Sequence, residues 1–326
     1  MLQTKQLPLQ SNIALEQVSC PMCNSSKSVV IASGKDYEYN TIAGTFYFQE
    51  CVNCSHLYLN PRPAISSLPL LYPSNYYTAE KPGGYSWKNN FLSWVQEKLL
   101  IKRFEPVLKL VPKGGTVLEI GFGDGKVLKQ IKKIRPDLTV IGMDPQVSKN
   151  TRAILEQQNI LIHECTFEES SITYNSIDLI IMTQLIEHFW DLENNIKKIK
   201  DVLKRGGLVI ITTPNAGGYD RKLFSKGSWG GYYWPRHLNI FTSRSLTNLF
   251  LSNGFNLQKI RFLACPIQWA YSFQYLIDSS NLRKLKRFIT PFNPVFLSIF
   301  TLLDLFALGI GLESSNMIGT FSKSKV

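Results

Sequence analysis

Five continuously apolar runs punctuate the middle of the chain: Thr116–Gly121, Thr139–Asp144, Ile160–His163, Asp178–Gln184 and Leu208–Thr212. Their apolar residues do not alternate with polar ones. Both faces of such strands must be covered, as in a parallel sheet between two helical layers. Between the runs, Lys126–Ile134, Val147–Gln158 and Leu192–Leu203 space their apolar residues as helices do. Ser243–Leu251 predicts a further helix, with Ser243 as N-cap and Gly254 as its stop. Gln258–Phe262 and Asn316–Phe321 read as two more strands, and Trp87–Val111 has helical periodicity with basic faces.

The N-terminal part has a different rhythm. Val29–Ile31 and Thr45–Phe48 alternate as half-buried strands do, and two Cys-x-x-Cys pairs flank them: Cys20 and Cys23, then Cys51 and Cys54. Two such knuckles offer four thiolates to one zinc ion, and four thiolates close a tetrahedral shell. A structural zinc ribbon is therefore expected, whose metal supplies folding free energy that so small a module lacks. His56, two residues past Cys54, is expected on the surface. The predicted organisation is a zinc-ribbon module at 1–60, a linker rich in Pro, Tyr and Ser at 61–86, and a large domain at 87–326.

Charge and cysteine usage add to this. The net charge is +12, from 36 basic and 24 acidic residues, and ten basic residues against three acidic ones fall between Lys98 and Arg135. Acidic partners, or simply a solvated basic face, would account for this. Residues 2–17 are mostly polar and lack the apolar core of a secretory signal. With paired cysteines, this leads to the expectation of a reducing cytoplasm and metal-bound thiolates rather than disulfides.

The chemistry concentrates after the first strand. Glu119 is followed by Gly121, Gly123 and Gly125. Alternating glycines between a strand and a helix bare the backbone to a ligand. A dinucleotide turn has its third glycine one residue later, where Lys126 stands here. Asp144 ends the second strand, 23 residues past Gly121, where a carboxylate can accept both ribose hydroxyls of a nucleoside.

The segments Glu119–Gly125, Gln184-Leu-Ile-Glu-His188, Leu203-Lys-Arg-Gly-Gly207, Thr213-Pro-Asn215 and His237-Leu-Asn-Ile-Phe-Thr242 together resemble class I S-adenosylmethionine (SAM) methyltransferases. More narrowly, they resemble the ubiquinone-biosynthesis O-methyltransferases, over about 114–255. The resemblance implies an α/β fold with a doubly wound, seven-stranded, mostly parallel Rossmann-like sheet. Its last two strands would form an antiparallel edge. It implies SAM as cofactor, with Gly121, Gly123 and Gly125 along the methionine, Asp144 on the ribose and Glu119 towards the amino group. Thr166 stands where related proteins often have an adenine-binding Asp, with Phe167 beside it, and Gln184 lies at the end of strand 4. Those enzymes carry Glu-x-x-Glu-His, a divalent-metal pattern. Gln184 removes one anionic ligand, so no catalytic metal is expected.

A sulfonium methyl is already activated, so the protein must align donor and acceptor and, for a hydroxyl, accept a proton. His188 and His237, with Glu187, are the candidates. A helix-start pair and a packed loop histidine are the plain alternatives. The expected partner is a small-molecule acceptor: a lipid, quinone, sugar or secondary metabolite. Nucleic acid is disfavoured, because an Asn/Asp-Pro-Pro-aromatic run after strand 4 is missing. An RNA methyltransferase and a non-catalytic membrane-associated protein stand as the competing readings.

One stretch fits none of this. Val295–Leu312 is 18 residues long with a single charge, Asp304. It lies in an expected apolar helical insert at about 265–312. Ser298, Thr301 and Asp304 would form a narrow polar stripe, and Arg283–Arg287 is basic. Residues 283–312 are thus candidates for peripheral membrane contact on the inner face, with a packed lid or a homodimer face as alternatives.

Overall fold

The computed structural model describes residues 13–72, 101–224, 226–278, 289 and 293–324. Five short strands open it: β1 (Leu15–Glu16), β2 (Ser28–Gly34), β3 (Phe46–Cys51), β4 (Leu57–Leu59) and β5 (Arg62–Pro63). Then come β6 (Thr116–Ile120), β7 (Thr139–Met143), β8 (Leu161–His163), β9 (Ile177–Thr183) and β10 (Leu203–Pro214). The chain closes with β11 (Asn239–Ile240), β12 (Phe255–Leu263) and β13 (Asn316–Lys323).

The main sheet has seven strands in the order β12-β13-β10-β9-β6-β7-β8. The five from β10 to β8 are parallel, and β13 and β12 form the antiparallel edge the sequence predicts. Every expected strand of this sheet is present, shifted at its ends by a few residues. In the central strands both faces are buried and obey the period of two. Leu118, Ile120, Ile180, Met182, Val209 and Ile211 pack on the layer containing helices Leu192–Val202 and Ser243–Ser252. Val117, Leu179, Ile181 and Ile210 pack with helix Lys126–Ile134 and residues 101–111. The chain runs outward through β6, β7 and β8, then returns to place β9 on the other side of β6. That reversal puts a crevice at the carboxyl ends of β6 and β9, where open α/β sheets bind ligands.

Two local readings change. Thr242, not Ser243, caps helix Ser243–Ser252: its Oγ1 accepts from the Ser245 N–H at 3.1 Å, while Ser245 Oγ accepts from the Thr242 N–H at 2.9 Å. Two amide donors are satisfied reciprocally, which a cap one residue later would not achieve. His56 is fully buried instead of exposed. Strand β11 pairs with β4 and closes over it, and its Nε2 lies 3.3 Å from Asn239 Oδ1.

That pairing joins the N-terminal part to the rest. The order β11-β4-β3-β2 completes a four-stranded sheet with a strand from residues 239–240. Its core is shared: Phe46 and Phe48 pack with Trp229, Tyr232 and Trp234. The expected linker also folds back where it is described. β5 pairs with β1, Leu71 is buried and Arg62 donates to the Trp190 carbonyl at 2.6 Å. Residues 73–86, the stretch 87–100 of the predicted basic helix, and Arg283–Arg287 lie outside the described residues.

Between β12 and β13 sit helices Pro266–Asp278 and Pro294–Gly309. Trp269 stacks on Phe300 at 4.8 Å, and Asp304 is buried. It accepts from the Tyr219 hydroxyl, the Trp269 indole and the Cys265 N–H, at 2.7–2.9 Å. Among the described residues, no helix is long and apolar enough to cross a membrane.

Candidate functional site

The crevice has two edges, and the first is built from local sequence. Gly121, Gly123 and Gly125 all take positive φ, at 72°, 55° and 70°. Only glycine adopts such angles without strain, and space forbids more as well. A Cβ on Gly125 would meet both Leu155 methyls at 2.8 Å, and one on Gly121 would lie 3.0 Å from a Leu185 methyl. The turn bends back onto Asp144. The Gly123 N–H donates to Asp144 Oδ2 and the Gln146 N–H to Oδ1, each at 3.0 Å. Burial raises the Asp144 carboxyl despite these donors. Glu119, on β6 beneath the turn, is buried and its Oε2 has no hydrogen-bond partner. Burial, with the charges of Asp124 and Asp144, pushes its carboxyl well up. An unpaired buried carboxyl oxygen is costly, so it can take a cationic or donating ligand group.

The other predicted donor-side residues differ in kind. Gln184 follows β9 with φ 52°, a left-handed conformation unusual for a side chain of its size. Its N–H donates to the Thr212 carbonyl at 2.8 Å, and its side-chain amide donates to Asn316 Oδ1 at 3.2 Å. Thr166 follows β8, and its hydroxyl donates to Glu169 at 2.8 Å. Phe167 is a core residue packed with Leu118 and Met143.

The second edge is assembled from distant segments. Glu187 and His188 lie on a short 3-10 turn after β9, and His237 on the aromatic loop before β11. The His188 and His237 rings are 4.8 Å apart. His188 Nδ1 lies 3.0 Å from the Arg236 carbonyl and 2.9 Å from the Tyr72 hydroxyl. His237 Nδ1 lies 2.8 Å from the Gly231 carbonyl. A carbonyl can only accept, so each Nδ1 carries the proton and each Nε2 keeps its lone pair. Burial holds His188 down at about 4; burial and the neighbouring His188 hold His237 well below its ordinary value. Both are therefore neutral at pH 7.

Glu187 is fully buried beside His237. Its Oε2 accepts from the Thr213 hydroxyl at 2.9 Å, while its Oε1 has no hydrogen-bond partner and stands 3.8 Å from His237 Nε2. Burial raises its carboxyl to about 8. The contact is thus a pair of neutral groups, not a resting ion pair. One donor atom each from Glu187, His188 and His237 lie within 4.8 Å of one another, a set that can hold a proton or a divalent ion. His237 supplies the third donor that Gln184 does not.

The N-terminal part supports this edge. Asp36 follows β2 and forms a fully buried ion pair with Arg236, at 2.8 and 3.1 Å. Burial alone would raise the Asp36 carboxyl, but the Arg236 hydrogen bonds and charge bring it below the usual value. Arg236 also donates to the Leu71 carbonyl at 2.7 Å, and its own carbonyl fixes His188.

The four cysteines do converge. Cys20 and Cys54 Sγ are 3.5 Å apart, as are Cys23 and Cys51. All four sulfurs lie within 4.8 Å of one another. Tetrahedral zinc with bonds of about 2.3 Å needs sulfurs about 3.8 Å apart, so the set fits the ion. Burial works against the Cys51 thiolate, yet N–H groups of Cys54 and Asn53 and the Cys23 thiol bring it down to about 7.

Sequence reading missed Tyr72, Thr213, Asp36 and Arg236. Only Thr213 had a signal, as part of the Thr-Pro-Asn run. The other three act through partners 116 to 200 positions away.

Residues 91–260, just over half of the chain, match the family model described as a methyltransferase domain. The chain is 26% identical over 139 residues to a probable S-adenosylmethionine-dependent methyltransferase of Mycobacterium tuberculosis, covering 43% of this chain and 48% of that protein. It is 27% identical over 164 residues to the human mitochondrial ubiquinone biosynthesis O-methyltransferase, covering 45% and 43%. The chain thus spans about half the length of the curated relatives it matches. Among solved structures, the Mycobacterium tuberculosis cyclopropane synthase MmaA2 aligns with a TM-score of 0.46 and 15% identity, over 68% of this chain and 84% of that one. With the glycine turn and Asp144 at the carboxyl edge of its seven-stranded sheet, this chain belongs to the methyltransferase domain family.

Proposed function

We propose that the chain moves a methyl group from S-adenosylmethionine to a hydroxyl of a small-molecule acceptor, in the lipid, quinone, sugar or secondary-metabolite class. One observation carries the donor half: the Gly123 N–H meets Asp144 Oδ2 at 3.0 Å, so the bare turn and the acidic strand end share one crevice. Asp144 would hold the ribose through the lone pairs its backbone donors leave. The free Oε2 of Glu119 would face the methionine amino group. The Gly121–Gly125 backbone would lie along the methionine chain. Bound there, the donor would supply a methyl already activated by its sulfonium.

The acceptor half rests on the histidines. As the acceptor oxygen takes the methyl, its proton passes to Nε2 of His188 or His237, whose lone pairs the carbonyl contacts preserve. The new imidazolium is stabilised by Glu187 once that carboxyl is ionised, so turnover rises with pH through about 8. The human relative's name as an O-methyltransferase supports an oxygen acceptor. The four cysteines would hold one structural zinc, since they leave no open coordination position.

Calorimetric titration with S-adenosylmethionine, followed by a screen of hydroxylated acceptors with labelled donor, tests both halves. One binding site and label transfer to an oxygen are expected. Absence of binding heat overturns the donor half. Label on nitrogen, carbon or RNA overturns the acceptor half alone.

A further inference from the structure

Helix Pro294–Gly309 is inside out. Val295, Ile299, Leu302 and Phe306 recur at spacings of four, three and four, and Ile310 continues the stripe just past the helix end. Each of the five is more than half exposed. That is one continuous apolar face turned outward. The helix's charge has gone the other way: Asp304 is buried and bound by Tyr219, Trp269 and the Cys265 N–H. The hydroxyls of Ser298 and Thr301 are turned back onto the carbonyls of Pro294 and Leu297, each at 2.7 Å. The expected polar stripe therefore offers the surroundings little, and the expected lid packs only its inner face. A water-facing helix would show the opposite pattern.

The charges on the segments that hold this helix divide by burial. Asp220 is buried against the Trp229 indole, and Glu313 is engaged by Asn215 and Ser243. Lys222 and Lys226 are exposed, on the segment whose Tyr219 holds Asp304. In sequence, residues 279–293 carry Arg283, Lys284, Lys286 and Arg287 and no acid. Among the described residues, Asp220 and Asp304 are buried while Lys222 and Lys226 face outward beside a bare apolar stripe. That is the charge pattern of a surface made for anionic headgroups over acyl chains. A second copy would bring the same positive charge to the contact and repel.

We propose that the outer face of helix Pro294–Gly309 docks on the surface of an anionic lipid bilayer. The helix lies in the interface rather than crossing it: sixteen residues reach about 24 Å, short of a hydrocarbon core of about 30 Å. Asp304 tethers it to the domain, which would hold the catalytic crevice close to the membrane. The assignment stands on the helix and its charges, independently of methyl transfer.

Flotation of the full chain with phosphatidylcholine vesicles, with and without phosphatidylglycerol, tests it. Binding to the anionic vesicles alone, reversed by salt, is expected. The double variant Leu302→Ser/Phe306→Ser should weaken binding by about 10-fold or more. Both side chains are exposed, so thermal stability should be unchanged. Replacing Lys222 and Lys226 with Gln should weaken anionic binding only. Equal binding to neutral vesicles would overturn the anionic assignment. No binding to either vesicle overturns docking altogether. If sedimentation equilibrium then shows a dimer that Leu302→Ser/Phe306→Ser dissolves, the face is a self-interface instead.

Discussion

The two edges of the crevice were built by different routes. The donor edge, Glu119 to Asp144, is 26 residues of one β-turn-α-β unit, and its decisive contact spans 21 positions. The acceptor edge needs Asp36, Tyr72, Glu187, His188, Thr213, Arg236 and His237, with contacts spanning up to 200 positions. A local unit is fixed by glycine sterics and strand pairing. A dispersed one is fixed by buried polar contacts whose partners must all be in place. Donor binding should therefore survive damage that abolishes proton transfer.

The largest effect is expected where the acceptor edge meets the N-terminal part. Asp36→Ala leaves the Arg236 guanidinium buried and unpaired, which should cost about 3–5 kcal/mol of stability in denaturant unfolding. In the protein that stays folded, turnover should fall while SAM affinity holds. An equal fall in both would mean the edges form one unit.

Asp144→Ala attacks the other side. It removes the proposed acceptor of the ribose hydroxyls and should weaken SAM binding about 100-fold by calorimetry, near 2.7 kcal/mol. The acceptor edge should be untouched. His188→Ala should show the mirror image, with turnover down about 100-fold and SAM affinity unchanged. If turnover holds, His237 is the proton acceptor or none is needed.

Smaller effects sharpen the electrostatics. Glu187 has its folded value raised to about 8, from 4.5 when unfolded. The folded state therefore holds a proton that the unfolded state releases. Its stability contribution is full below 4.5 and is lost as pH rises through about 8. Glu187→Gln should flatten the fall in melting temperature over that window, and also remove the rise in turnover. A pH dependence identical to wild type would remove Glu187 from both roles. Thr213→Val deletes one hydrogen bond to the same carboxyl and should cost about 1 kcal/mol in thermal unfolding.

The sequence made the donor edge legible because its rules are local. Apolar runs mark strands, alternating glycines mark a turn, and a carboxylate marks the end of the second strand. The cysteine cluster was legible for the same reason, through two short knuckles. His188 and His237 could be named as candidates, but not their orientation. That depends on carbonyls of Arg236 and Gly231, which no residue type announces. His56 was misread because a surface next to the knuckles becomes an interior once β11 pairs with β4. The helix Pro294–Gly309 was flagged by its apolarity, yet only the fold reveals that its acid faces inward.

Calorimetric titration of S-adenosylmethionine into the full chain, its Asp144→Ala variant and its His188→Ala variant tests the division between the edges most directly. A single site is expected, lost in Asp144→Ala and kept in His188→Ala. Equal affinity in wild type and Asp144→Ala, or no heat in the wild type, would contradict it.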